Sequence, residues 1–260
     1  MPMNIEPRTE SSLYVVGRRA ALELLHTDEG RARIEKLYIM HGERTGPQMA
    51  EILHFARTNK VAMGELDRRK YQELEKREAK GVDTQGVMVL LRHANYFELD
   101  DILGEKRTKT TAPLLIALDG IEDPHNIGAI IRSAEAFGAD AVLLPVRGAV
   151  LTPAVFKTSA GAALHLPIVK YQNLPEMIFR IKEEFFIKCV GLAGEATEDI
   201  SSIDTSEGVC LIIGSEEKGL HHLVRKRCDS LAKIPITGKT ASLNASVAAA
   251  VAVYAVVKGR

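Results

Sequence analysis

The sequence predicts an α/β protein with a small N-terminal α/β domain and a larger C-terminal domain built on a parallel sheet. Short, continuous apolar runs recur along the chain, and segments with the apolar spacing of helices separate them. Runs that are apolar at consecutive positions are typical of strands buried on both faces, as in parallel sheets covered by helices. The 260 residues, 46% of them hydrophobic, are enough for one large domain or two modest ones.

The N-terminal part alternates strand and helix patterns after a tail, residues 1–10, that we expect to be disordered. This small domain should span residues 11–92. Its predicted strands are 13–16, 34–40, 61–63 and 84–92, and its predicted helices are 17–25, 47–58 and 67–76. Residues 93–112 mix acidic side chains with a basic cluster and predict a short helix followed by an exposed linker.

The C-terminal part, residues 113–260, predicts a doubly wound parallel sheet, in which ligands bind at the carboxyl ends of the strands. Its predicted strands are 114–118, 141–144, 188–192, 209–213 and 231–236, and its predicted helices are 127–137, 154–163, 175–185 and 220–226.

The last predicted strand should end at a polar turn, because Pro235 lacks an N–H and Gly238 tolerates a positive φ. Ser242 or Asn244 can cap the helix that follows. Residues 247–257 are apolar on every face of that helix, which is typical of a buried helix or a membrane span. The run of 11 residues is too short for a span, so we expect burial.

Composition narrows the functional classes. Because 34 basic residues balance 34 acidic ones, any nucleic-acid binding must use local patches. The three cysteines, Cys189, Cys210 and Cys228, match no zinc or redox spacing, which favours reduced thiols in a cytoplasmic protein. Metal-ligand spacing, dinucleotide and phosphate-loop fingerprints, a nucleophile elbow and a signal peptide are all absent from the sequence.

Three polar clusters follow ends of predicted strands in the C-terminal part. They are residues 119–128, residues 214–219 and the turn at 237–244. Asn126 is placed to cap a helix in which Arg132 is the only charge among apolar residues. We expect Arg132 to pair with a carboxylate, for which Glu216 is a candidate, or with a phosphate. This reasoning predicts a ligand site but leaves the reaction open.

The three clusters together resemble the ordered motifs of the SpoU/TrmH branch of the SPOUT RNA methyltransferases. The resemblance rests on Asn126-Ile127-Gly128 with Arg132, on Gly214-Ser215-Glu216 with Gly219-Leu220, and on Ile234-Pro235-Ile236 with Ser242-Leu243-Asn244. It covers residues 113–260, and residues 14–40 and 84–91 resemble the RNA-binding domain of the same family. The nearest subfamily is the RlmB type, which methylates a guanosine ribose of 23S rRNA.

The resemblance implies a deep trefoil knot, a homodimer and S-adenosylmethionine as cofactor. Ordinary topology reasoning excludes knots, so the knot rests on the resemblance alone. The cofactor-binding positions that match are Gly194, Gly214, Ile234, Ile236 and Leu243, and the catalytic positions that match are Asn126, Arg132, Glu216, Ser242 and Asn244. Three residues depart from the usual pattern: Glu217, beside the cofactor, replaces a glycine, and Ala245 and Ala250 replace a valine and a glycine.

The implied reaction is attack of a ribose 2′-hydroxyl on the cofactor's methyl group, for which the protein supplies alignment and proton removal. The family account makes Arg132 the base; because an arginine keeps its proton, we expect it instead to contact the hydroxyl and a neighbouring phosphate. The domain at 11–92 would select the RNA, through Arg18, Arg19, Arg68, Arg69 and Lys70, with Lys106, Arg107 and Lys109 in the linker. Two alternatives stay open: a tRNA substrate, and a non-catalytic RNA-binding or ribosome-assembly protein.

Overall fold

The computed structural model describes residues 13–43, 46–94, 96–106, 112–148, 151–240 and 242–259, and the predicted tail lies outside them. The chain divides into two compact units: residues up to 95 with 151–165, and residues 96–150 with 166–260. Among the described residues, every helix is too short or too polar to cross a membrane.

Most predicted strands and helices are present, but the sequence did not predict the elements at Asp28–Arg33, Tyr96–Phe97, Ile168–Tyr171 and Glu198–Asp199, and the helix predicted at 154–163 ends at Thr158. The strands are β1 Leu13–Val16, β2 Ile34–Met40, β3 Met63–Leu66, β4 Val87–Leu91, β5 Tyr96–Phe97, β6 Leu114–Asp119, β7 Ala141–Pro145, β8 Ile168–Tyr171, β9 Lys188–Leu192, β10 Glu198–Asp199, β11 Val209–Gly214 and β12 Ser230–Lys233. The helices are α1 Arg18–His26, α2 Asp28–Arg33, α3 Pro47–Thr58, α4 Arg68–Glu78, α5 Leu99–Lys106, α6 Pro124–Ala136, α7 Pro153–Thr158, α8 Leu174–Phe185, α9 His222–Arg227 and α10 Ala245–Lys258.

The first unit contains a mixed four-stranded sheet in the order β1-β4-β2-β3. Strand β4 runs antiparallel to both neighbours, whereas β2 and β3 are parallel. The strand predicted at 61–63 begins only at Met63, because Asn59 and Val61 donate backbone hydrogen bonds to the end of α3 and continue its turn. Residues 151–165 join this unit through buried Arg33, which donates to the Leu164 carbonyl over 2.7 Å.

The second unit contains an eight-stranded sheet among the described residues, in the order β10-β12-β9-β11-β6-β7-β8-β5. All seven neighbouring pairs are parallel. Strands β6 and β11 lie side by side in the middle, with Asp119 opposite Gly214 at their carboxyl ends. The α/β class with a parallel C-terminal sheet is therefore confirmed, and the trefoil knot stays a prediction.

Three further differences from the predicted boundaries affect the candidate site or the linker. The strand predicted at 231–236 ends at Lys233, just ahead of Pro235, which cannot donate to a ladder. Helix α6 begins at Pro124 and is capped by Asp123, so Asn126 lies within its first turn instead of capping it. Part of the predicted linker belongs to the second unit, since β5 pairs with β8 and α5 buries Leu99 and Leu103; residues 107–111 lie outside the described residues.

The C-terminal helix is not buried on every face. Helix α10 buries Ala249, Ala252, Val253 and Val256, whereas Val247, Val251 and Tyr254 on another face are 47%, 38% and 52% exposed. The prediction of all-round burial is wrong for the single chain. The sequence shows which side chains are apolar, but it does not show whether another helix covers each of them.

Candidate active site

Three side chains from three different segments of the chain form one hydrogen-bonded cluster at the carboxyl edge of the parallel sheet. Glu216 Oε1 accepts from Asn244 Nδ2 over 2.6 Å and from Asn126 Nδ2 over 3.0 Å. Asn244 Nδ2 also donates to Asn126 Oδ1 over 3.0 Å. We call Asn126, Glu216 and Asn244 the amide–carboxylate cluster; it brings together the three predicted polar clusters, which are up to 118 residues apart in sequence.

Helix ends hold the two asparagines of this cluster in place. Asp123 Oδ1 accepts from the His125 N–H over 3.0 Å and so caps α6. Asn126 lies three residues after Asp123, in the first turn of this helix. Asn244 caps α10: its Oδ1 accepts from the N–H groups of Ser246 over 3.0 Å and Val247 over 3.4 Å. Because the oxygen of Asn244 is committed to the helix, its amino group must face the Glu216 carboxylate.

The loop that carries Glu216 depends on a close approach between two glycines. A Cβ atom on Gly214 would lie 2.3 Å from the carbonyl carbon of Gly219, which no real contact allows. Gly219 has a φ of +62°, and its N–H donates to the Ser215 carbonyl over 2.9 Å. The loop therefore folds back on itself directly after β11 and exposes Glu216 at its tip.

A buried carboxylate anchors the far end of the same loop. Asp119, 5% exposed at the end of β6, accepts from the His221 backbone N–H and from His221 Nδ1, each over 2.7 Å. The sequence analysis did not predict this pairing. Its only sequence signal is an acidic residue at the end of an apolar strand.

A cleft of about 360 Å³ lies beside the cluster, and we call it the cofactor cleft. Its apolar walls include Leu192, Ile213 and Leu220. Glu195 and Arg225 form an ion pair at its edge, and this pairing lowers the pKa of Glu195. All five predicted cofactor positions line this cleft, and so does Ser242; the five are Gly194, Gly214, Ile234, Ile236 and Leu243. A mixed cleft of this size suits a nucleoside-like cofactor.

A second, more polar cleft contains the amide–carboxylate cluster, and we call it the active-site cleft. It shares residues 215–218 and Ala245 with the cofactor cleft, so the two have a common wall. Glu217, which departs from the family pattern, is exposed in that wall. Among the described residues, no group of His, Cys, Asp and Glu side chains could hold a metal ion.

Arg132 does not join the cluster within one chain. Its side chain is exposed, lines neither cleft, and makes no hydrogen bond or ion pair with the described residues. Within one chain Arg132 therefore does not pair with Glu216, whose Oε1 accepts from the two asparagines instead. Six residues of helix turn the chain through about 240° beyond a full turn, so Arg132 points away from the direction of Asn126.

The predicted RNA-contacting residues lie in the first unit, in unequal settings. Arg18 is committed to that unit, since its Nε donates to the Gln85 carbonyl over 3.1 Å and its Nη2 lies 3.2 Å from Glu43. Arg19 and Arg68 are exposed. Arg69 pairs with Glu73, and Lys70 with Asp67, at exposed positions on α4 and just before it. The predicted contacts Arg107 and Lys109, and the side chain of Lys106, lie outside what the structure describes.

The fold and this cluster define an α/β protein with a ligand site at the carboxyl edge of its sheet, and comparison with known proteins identifies the family. The SpoU rRNA methylase family model matches residues 113–254. The chain therefore belongs to the SpoU/TrmH family of RNA ribose 2′-O-methyltransferases, and the predicted membership is confirmed.

Relatives resemble the chain over nearly its whole length. YacO of Bacillus subtilis, whose name assigns it to the TrmH family of tRNA/rRNA methyltransferases, is 36% identical over 95% of this chain and 96% of its own. An uncharacterized tRNA/rRNA methyltransferase of Synechocystis is 36% identical over all of this chain, which spans 66% of that protein. The SpoU methyltransferase AviRb of Streptomyces viridochromogenes, solved with the cofactor AdoMet, has 25% identity and a TM-score of 0.77 over 95% of this chain and 89% of its own.

Proposed function

We propose that this protein transfers a methyl group from S-adenosylmethionine to the 2′-hydroxyl of a ribose in RNA. The observation that carries the proposal is the amide–carboxylate cluster, which lies against the cofactor cleft and shares Glu216 with it. AviRb, a family member of the same fold, has been solved with this cofactor.

The cofactor cleft would hold S-adenosylmethionine between the loops after β9, β11 and β12. Leu192, Ile213 and Leu220 provide the apolar walls, and the tight turn at Gly214 lets the ligand approach the backbone. The bound cofactor supplies an activated methyl group on a sulfonium, so this chain must supply alignment and a route for the hydroxyl proton.

The cluster would orient the ribose beside that methyl group. Glu216 Oε1 is occupied by donors from Asn126, Asn244 and the Ala245 N–H over 3.3 Å, which fixes the carboxylate in the shared wall. The 2′-oxygen bonds to the methyl carbon, the carbon–sulfur bond breaks with its electron pair left on sulfur, and the hydroxyl proton departs. An arginine cannot accept that proton, so Arg132 would align the hydroxyl and a neighbouring phosphate, which can take it.

Arg132 would reach the site from a second copy of the chain. Val247, Val251 and Tyr254 form an exposed apolar stripe on α10, which packs against α6, the helix that carries Arg132. A homodimer that covers the stripe would bury these side chains and bring one copy's Arg132 towards its partner's cluster.

The test mixes Arg132→Ala and Glu216→Ala proteins, each inactive alone; random reassociation should restore about a quarter of wild-type activity. No recovery would place Arg132 and Glu216 in the same copy's site.

The RNA substrate would be 23S rRNA, modified at a guanosine in the cytoplasm, with tRNA as the second candidate. The resemblance to the RlmB subfamily supports an rRNA substrate. Relatives whose names include both tRNA and rRNA make tRNA the alternative substrate. Three free cysteines are in keeping with a reducing compartment. Exposed basic residues of the first unit, Arg19, Arg68, Arg69 and Lys70, would contact phosphates.

The decisive experiment is ribose-methylation mapping of total RNA from cells with and without the gene. We expect one 2′-O-methylguanosine of 23S rRNA to disappear and to return with wild-type protein but not with Asn126→Ala. Loss of a tRNA site instead would establish the tRNA alternative. An unchanged map, together with no S-adenosylmethionine binding by calorimetry, would identify a non-catalytic protein.

A further inference from the structure

A third cleft adjoins the active-site cleft, and none of the predicted cofactor or catalytic positions lines it. Its volume is about 490 Å³, and it opens at the carboxyl ends of β6, β7 and β8 beside the start of α9. It shares Gly120, Ile121, Glu122 and His221 with the active-site cleft. We call it the side cleft; any group bound in it would be a direct neighbour of the ribose in the active site.

Flat and apolar surfaces line much of the side cleft. Tyr171 is buried and donates its hydroxyl to the Leu118 carbonyl, so its polar end is satisfied within the fold, and burial raises the pKa of Tyr171. Pro145 and Pro175 add rigid apolar surface. Leu223, in the first turn of α9, is 64% exposed and adds a large apolar side chain to the same surface. These surfaces are suited to contact the face of a planar ring.

Hydrogen-bonding groups stand at the edge of the same cleft. The His221 ring, 61% exposed, has its Nδ1 committed to the buried Asp119 carboxylate, so Nε2 is the ring nitrogen left to bond a ligand. Exposed Glu122 provides an acceptor. Exposed Arg147 provides a planar cation that can stack on a base or pair with a phosphate.

We propose that the side cleft binds the base of the nucleotide adjacent to the one that is methylated. Proteins that recognise single-stranded RNA splay bases apart, stack them on flat side chains and read their edges by hydrogen bonds. The side cleft offers both kinds of contact, and its common wall with the active-site cleft fits two nucleotides joined by one phosphate. The inference rests on the proposed function. It assigns part of the choice of RNA sequence to the second unit, which contains both clefts.

The test compares two variants on two RNAs. Leu223→Ser removes an exposed apolar side chain of the side cleft, and Phe186→Ser removes one that is 70% exposed beyond the far end of α8. The RNAs are the mapped target segment and the same segment with an abasic ribose next to the methylated nucleotide, on either side in turn. The measured quantities are kcat, KM for RNA and the Kd for S-adenosylmethionine.

We expect Leu223→Ser to raise KM for the intact RNA about tenfold, with cofactor Kd unchanged, and Phe186→Ser to leave both unchanged. The abasic ribose, on one of the two sides, should raise the wild-type KM by a similar factor and should add almost nothing to the effect of Leu223→Ser. That non-additivity shows that the missing base and the missing side chain are partners.

Two results would overturn the inference while the proposed function stands. One is an unchanged KM for Leu223→Ser in a protein that methylates the intact RNA normally. The other is a pair of effects that multiply on both abasic RNAs, which would mean that Leu223 and the adjacent base act independently. Failure of the wild-type protein to methylate any RNA would instead refute the proposed function itself.

Discussion

Asn244 performs two separable tasks, and three substitutions distinguish them. Its oxygen caps α10 by accepting from Ser246 and Val247, and its amino group donates to Glu216 and Asn126. Serine keeps a capping oxygen but loses the donor. Aspartate also keeps the cap but replaces the donor with a carboxylate facing Glu216, and alanine loses both functions.

The geometry gives the expected order of stability losses. Loss of an N-cap costs about 1 kcal/mol, and each exposed hydrogen bond contributes about 0.5 kcal/mol. Asn244→Ser should therefore lose about 1 kcal/mol and Asn244→Ala about 2 kcal/mol of unfolding free energy. Asn244→Asp should lose the two bonds and add a repulsion of about 1 kcal/mol, since two unit charges some 4 Å apart interact by that amount in water.

Urea unfolding at pH 8 and pH 5 measures these losses, and methyl transfer to RNA measures their consequence. The Asn244→Asp deficit relative to Asn244→Ser should shrink at pH 5, because one carboxyl of the facing pair takes up a proton more readily than an isolated one. Activity of Asn244→Asp should likewise recover towards low pH relative to Asn244→Ser. Equal stability of the two variants at both pH values would refute the assigned contact between Asn244 and Glu216.

Three further predictions test other parts of the structure. Gly214→Ala forces a Cβ onto the Gly219 backbone and should weaken S-adenosylmethionine binding more than tenfold by calorimetry, whereas Gly104→Ala, with open space around its Cβ, should not. Burial lowers the pKa of His93, so stability should fall as pH drops below about 6.5, and His93→Gln should flatten this dependence in denaturant titrations. Phe186 has a φ of +59°, so Phe186→Gly should raise the unfolding free energy by about 0.5–1 kcal/mol, and an unchanged melting curve would contradict the strain.

The convergence of the site was predictable from sequence because it follows from the sheet. Residues after parallel strands meet at one edge, so Asn126, Glu216 and Asn244 could be expected together before any coordinates. The order of the strands was not predictable in the same way. Asp119 pairs with His221 because β6 and β11 are neighbours, and the sequence does not reveal which strands are adjacent.

Other errors came from weak or incomplete patterns. Strand β5 has two residues and β8 contains a lysine in a four-residue run, so neither reads as a continuous apolar strand. The position of Arg132 could have been predicted, since the angle between positions 126 and 132 follows from helix geometry.

The exposed face of α10 could not be predicted, because burial depends on partners that lie elsewhere in the molecule or outside it. An apolar helix of small residues packs equally well against its own chain and against a second copy. The sequence therefore shows that Val247, Val251 and Tyr254 are apolar, but it does not show which surface covers them.

Glu216 lines both the cofactor cleft and the active-site cleft, and from this position we expect it to couple the two proposed binding events. Its Oε1 already accepts three hydrogen bonds, from Asn126, Asn244 and the Ala245 N–H, so a ligand that moves the loop after β11 must also move the asparagines. Cofactor that seats against residues 214–219 should therefore order the ribose-binding side chains before RNA arrives. Such coupling is reciprocal, so RNA bound in the active-site cleft should tighten the cofactor by the same factor. Because Glu216→Ala removes the shared carboxylate, it should abolish the mutual enhancement, and calorimetric titrations of each ligand with and without the other can measure that loss.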